Sequence, residues 1–157
     1  MEQMIVKEEW NVSEIDIVYK RKGNCKMCER PQIHSSKDAY NIFIKYWNPD
    51  KIELLEEFKV LFLNKANRVM QLLSLSQGGI SSTVVDPRLV LATALKVAAS
   101  SIILAHNHPS QNLRPSRQDE ELTQKIKCAA KYFDISVADH LIVTPSGYFS
   151  FADEGLL

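Results

Sequence analysis

The residues best suited to chemistry lie in one stretch, Ser101–Asp119, SIILAHNHPSQNLRPSRQD, which holds two of the four histidines. His106 and His108 are separated by a single residue, so on an extended backbone both imidazoles point the same way. Asn107 must then face the other side, and it reads as a loop-bonding residue rather than a ligand. Asp119 follows in what reads as the first turn of a helix. Two neutral imidazoles and a carboxylate can hold one zinc ion with the fourth position open to water, the arrangement of catalytic rather than structural sites.

A hydrolytic centre also needs a proton carrier and a donor for charge developing on the attacked carbonyl. Ser110 lies near the mouth of the loop, and its hydroxyl could serve that oxyanion. Ser116 stands where a helix N-cap belongs and would support the site by capping the helix that presents Asp119. Glu56 and Glu57 both precede an apolar strand and are candidates for the general base, with nothing local to select between them. The competing reading is a polar loop held by its own hydrogen bonds, with no ion.

The elements that must position these groups are legible around them. Ile102–Leu104 is a buried strand that feeds the histidine loop. Phe58–Leu63 reads as a central strand buried on both faces. The Asn64–Asn67 turn returns it as a hairpin through Arg68–Leu75. Ser35 to Asp38 opens a helix with a serine N-cap, whose apolar face is Ala39, Ile42, Phe43, Tyr46 and Trp47. The turn at Asn48-Pro49-Asp50 ends it, and Leu54, Leu55 and Phe58 read as the anchors that follow. Gly78-Gly79 loops to a strand at Ser81–Val85. Asp86-Pro87 starts a second helix, with Leu91, Ala94, Leu95, Ala98 and Ala99 on its apolar face. Ser116 and Asp119 form a capping-box pattern before a helix from Arg117 to Phe133. Ile135–Ile142 and Tyr148–Phe151 close the chain as a hairpin. Upstream, Ser13–Lys20 alternates like a strand. This order predicts an α/β sandwich with a mixed sheet, and no nucleotide-binding glycine motif occurs.

At 157 residues, with 45% apolar and 24% charged residues, the chain fits one globular domain. Its formal net charge of zero gives no support to electrostatically driven DNA binding. The sequence holds no apolar run long enough to span a membrane and no secretory leader pattern. Its three cysteines do not suggest a disulfide framework. These features predict a cytoplasmic protein. Cys25 and Cys28 form a lone CxxC that reads as chemically incidental. The basic residues between Lys20 and Arg30 read as a solvated loop. Exposed sheet edges could pair two copies into a homo-oligomer.

The pattern HxHPS followed by Ser116-x-x-Asp119 resembles the JAB/MPN metalloprotease signature. More closely, the span from Ser35 to Leu157 resembles the RadC family, bacterial proteins long called DNA repair proteins. The likeness runs through FLNKANRVM, VDPRLV, the histidine stretch, DHLIV and YFSFADEGLL. It implies a three-layer α/β sandwich of JAB/MPN (cytidine-deaminase-like) architecture over residues 35–157, preceded by an extension at 1–34. It also implies zinc on His106, His108 and Asp119, Glu56 as base, Ser110 as the carbonyl-polarising serine and a peptide or isopeptide substrate. His140, in the family's DH pair, would support the site from behind or fix its strand. Two departures stand out. The first 35 residues show no helix-hairpin-helix pair of the kind that would contact DNA in longer members. Gln111 occupies the place where glycine usually follows HPS. A DNA-associated accessory protein with a structural or vestigial zinc site is the alternative function.

Overall fold

A computed structural model describes residues 25–77 and 85–157. Five strands form one mixed sheet: β1 (Glu57–Leu63), β2 (Val69–Gln77), β3 (Ser101–Asn107), β4 (Ser136–Thr144) and β5 (Gly147–Ser150), in the order β2-β1-β3-β4-β5. β1 runs antiparallel to both β2 and β3, β3 and β4 are parallel, and β5 returns antiparallel on β4. A parallel pair cannot be joined by a tight turn, so β3 reaches β4 through a helix, α3 (Arg117–Lys131). The predicted strands at Ser13–Lys20 and Ser81–Val85 and the Gly78-Gly79 loop fall wholly or largely outside the described residues.

The two faces of the sheet carry two separate cores. Leu61, Leu63, Ile103, Ala105, Leu141 and Val143 pack with α1 (Ser36–Tyr46). Alternate residues, Val60, Phe62, Ile102 and Leu104, pack with α3 and with α2 (Pro87–Lys96). Covering both faces makes every residue of β1 and β3 buried, which is why these strands read as largely apolar. The result is the mixed, helix-flanked α/β architecture expected from the sequence.

The helix starts follow the residues that predicted them, and several apolar assignments do not. Ser35 and Asp38 cap α1 reciprocally, Asp86 accepts the Arg88 N–H ahead of Pro87, and Ser116 and Asp119 form the box of α3. In α1 the buried residues are Ala39, Tyr40 and Phe43, whereas Tyr46 is exposed. Trp47, just past the helix end, takes the inward place instead, and Tyr40 satisfies its hydroxyl on the Thr144 carbonyl at 3.0 Å. After α1 the chain is anchored by buried Ile52, with Leu54 exposed. α2 stops at Lys96, short of Ala98 and Ala99, and Leu95 faces solvent while Val90 and Ala94 face the core. Ala98 adopts φ 53°, which breaks the helix so that Ser100 can reach the Leu63 carbonyl and start β3. α3 likewise ends at Lys131, and Asp134 at φ 54° turns the chain into β4.

Among the described residues, one ion pair is fully enclosed. Lys59 Nζ lies 2.9 Å from Glu57 Oε2 and donates to Ser74 Oγ, and both side chains are buried on the α1 face of β1. Lys59 also stands over the Trp47 ring at 4.8 Å. Removing one member leaves the other charge buried and uncompensated. Lys59→Met is therefore expected to lower unfolding free energy in urea by about 3–5 kcal/mol. The double change Glu57→Leu/Lys59→Met should recover most of that loss. A double mutant no more stable than Lys59→Met would show the pair is not the source.

Candidate metal centre

The C-terminal end of β3 delivers His106 and His108 to one side, as the spacing requires. Their Nε2 atoms lie 3.0 Å apart. His106 is buried, held on the α3 face with its ring parallel to Phe58 at 6.3 Å between centroids. His108 lies just past the strand, where its Nδ1 donates to the Asn112 carbonyl at 2.6 Å and its Nε2 is left facing inward. Asn107 points to the opposite face. Its amide donates to the carbonyls of Ile52 and Leu55 and accepts from the Glu57 N–H, so it bonds the loop before β1 rather than an ion.

Asp119 is placed by the helix cap. Its Oδ2 accepts from the Ser116 N–H at 2.7 Å and the Ser116 hydroxyl at 2.6 Å. Oδ1 then turns to His106 Nε2 at 3.2 Å, while Oδ2 lies 3.7 Å from His108 Nε2. Ser116 thus supports the site by fixing the carboxylate that closes it. Around a tetrahedral ion with bonds of about 2.0–2.1 Å, neighbouring donor atoms stand about 3.3 Å apart. The separations of 3.0 and 3.2 Å fit that spacing, and His106, His108 and Asp119 form a cluster able to hold a metal ion.

Electrostatics agree with a cation here. Burial alone would raise the Asp119 carboxyl, but its close contacts with the His106 and His108 imidazoles outweigh it and hold its pKa far below the usual range. The bond to Asp119 raises the His108 pKa against the opposing effect of burial, and the charge of Glu56 adds to the rise. His140 is fully buried, and desolvation drives its pKa well below the ordinary value, so it is neutral.

The remaining expected residues are distributed as follows. Phe58 pairs with His106 in the antiparallel register of β1 on β3, and Glu56, just before β1, lies near enough for its charge to raise the His108 pKa. Glu57 falls on the other face, paired to Lys59. Ser110 is exposed on the turn that follows His108, its hydroxyl accepting the Asn112 N–H at 3.4 Å. His140 Nε2 meets His106 Nδ1 at 2.8 Å, and the ring stacks on Phe151 at 4.7 Å. Asp139 does not join it; it faces the opposite side, where Ser150 and Ala152 bond it and secure the strand, although burial raises its pKa. Gln111, in the glycine place, adopts φ 61° and donates to Glu53. Cys25 and Cys28 are free and exposed, and among the described residues they gather no further ligand. Thr123 escaped the sequence reading. Its hydroxyl contacts His140 Nδ1 at 2.6 Å. The available signal was a polar residue in the buried stripe Thr123, Ile126, Ala130, one turn beyond Asp119.

The family model of the RadC-like JAB domain matches residues 33–156. A UPF0758 protein of Flavobacterium johnsoniae is 48% identical over 126 residues, which are 80% of this chain and 53% of the relative. One of Porphyromonas gingivalis is 45% identical over 134 residues, 84% of this chain and 57% of the relative. UPF0758 protein YfjY of Escherichia coli K12 is 47% identical over 102 residues, 65% of this chain and 64% of the relative. The chain spans about half the length of the first two of these curated relatives.

Metal-free, the cluster must use protons in place of an ion. The raised His108 pKa means its contribution to stability is complete below its ordinary value of 6.5 and is lost as pH rises through the higher folded value. The lowered Asp119 pKa gives a contribution present above its ordinary 3.8 and lost only as pH falls through the folded value. Chelator-treated protein should therefore melt at lower temperature as pH rises above about 6.5 and passes through the raised His108 value. Added zinc should stabilise it more at the higher pH, since uptake must displace that proton. Melting curves of chelated and zinc-supplemented protein across this range test both, and a zinc effect that shrinks with rising pH would contradict the ligand assignment.

Proposed function

The chain belongs to the RadC-like JAB domain family, and from that premise we propose that it is a zinc-dependent hydrolase of peptide or isopeptide (amide) bonds. The observation that carries this reading is the clustering of His106 Nε2, His108 Nε2 and the Asp119 carboxylate, with 3.0 Å between the two nitrogens and 3.2 Å from His106 to Oδ1. Two imidazoles and one carboxylate suit zinc and leave a position for water or substrate. Among the described residues the donor cluster has three members, which favours an open site over a closed structural one.

A zinc ion held there supplies Lewis acidity and the means to activate water at neutral pH. Everything else falls to side chains. Glu56, whose charge reaches His108, takes the proton of the attacking water and returns it to the leaving amine. Glu57 is unsuited because its carboxylate is committed to Lys59 beneath the sheet. Ser110, on the exposed turn beside His108, donates its hydroxyl to the developing oxyanion. The buried rings of Phe58 and Phe151 hold His106 and His140 and keep water from their rear side.

Metal analysis of the purified protein, paired with a cleavage screen over peptides and isopeptide-linked substrates, tests the proposal. Wild type and Glu56→Gln should both carry one zinc per chain, with turnover in the variant about 100- to 10,000-fold lower. Ser110→Ala should lose about 100- to 1,000-fold in kcat and retain its zinc. Stoichiometric zinc with equal turnover in wild type and Glu56→Gln would overturn the mechanism.

A further inference from the structure

Behind the metal-facing edge of His106 lies a chain of hydrogen bonds. The Thr123 hydroxyl is 2.6 Å from the Asp119 carbonyl and 2.6 Å from His140 Nδ1, and His140 Nε2 is 2.8 Å from His106 Nδ1. Thr123 has one hydroxyl hydrogen, and the carbonyl can only accept. Once that hydrogen is given to the carbonyl one helical turn back, the Thr123 oxygen must accept from His140, which places the His140 proton on Nδ1. A neutral imidazole then has a bare Nε2, so His106 must donate from Nδ1, and its own Nε2 is left with a lone pair. The opposite chain would send the Thr123 hydrogen to His140 and end with a proton on His106 Nε2, in the place of the ion.

We propose that Thr123, acting through His140, is the positioning residue that sets His106 in the Nδ1–H tautomer and so presents Nε2 to the metal. The device is enclosed: His106 and His140 are each at most 2% exposed, and Thr123 is fully buried. Water therefore has no access to supply a substitute partner. The same helix carries both ends of the chain. Asp119 contributes its carboxylate as a ligand and its carbonyl as the acceptor that starts the proton order. The His106 and His108 Nε2 atoms, 3.0 Å apart, can share at most one proton, which also requires one of them to be bare.

The inference rests on the metal-site reading, but its test does not need a metal. Long-range proton–nitrogen correlation spectra of the 15N-labelled, chelated protein at about pH 8 report the protonated nitrogen of each imidazole. The wild type should show Nδ1–H at both His106 and His140. Thr123→Val, which deprives His140 Nδ1 of its acceptor, should mix or reverse that pattern and weaken zinc binding about 10- to 100-fold. Thr123→Ser should preserve both the pattern and the affinity. A proton on His106 Nε2 in the wild type would overturn the proposal, as would a folded Thr123→Val with wild-type tautomers and wild-type zinc affinity. Should Thr123→Val fail to fold, the wild-type spectrum and the serine variant decide. Protein that shows the Nδ1–H pattern and takes up no zinc would defeat the zinc reading and leave the relay standing.

Discussion

Two imidazole nitrogens and a carboxylate oxygen, crowded within hydrogen-bond distance at the end of β3, are stable only with a positive charge among them. A proton can supply it, and a metal ion held by the same atoms would supply it too. The surrounding structure holds these groups together. The cap at Ser116 takes one oxygen of Asp119 and leaves the other to face the histidines. The β3 backbone gives the histidines a shared side, and two aromatic rings fix their planes. These contacts are all made by the protein's own groups.

The sheet also separates charges that would interfere. The alternation of β1 sends Glu57 and Lys59 to the α1 face and Phe58, between them, to the face that carries His106. The buried ion pair on one side and the candidate site on the other are thus isolated by the thickness of one strand. A one-residue slip of β1 would exchange these roles and drive a lysine toward the site. Pairing on both edges of β1 makes such a slip costly.

Much of this was legible in the sequence, because it depends on local rules. The HxH spacing fixes the direction of two rings, the Ser116–Asp119 box fixes a helix start, and Asp86-Pro87 fixes another. Less legible was which side of an element turns inward. Tyr46 and Leu95 satisfy the helical period, yet both face solvent in the last turn of their helices. The choice between Glu56 and Glu57 could not come from neighbouring residues, since it rests on a pairing with residues some fifty positions away. In the sequence alone it was the resemblance to the family that favoured Glu56. Thr123 was missed for a related reason: its partner, His140, reaches it only after β4 is laid beside β3.

Asn107 has an effect beyond the site. Its three hydrogen bonds clamp Ile52, Leu55 and Glu57 to the end of β3, and Gln111 adds a tie to Glu53. The connection from α1 to β1 is exposed along much of its length but is sewn at four points to the histidine loop. Its length is therefore constrained in a way that surface loops ordinarily are not. An insertion there would have to bulge between fixed stitches or shift the start of β1. The Asn64–Asn67 hairpin, by contrast, lies at the far end of the same strand. Among related chains, variation in length should accordingly collect at the end of the sheet remote from the histidines, while the connection that looks more open stays constant.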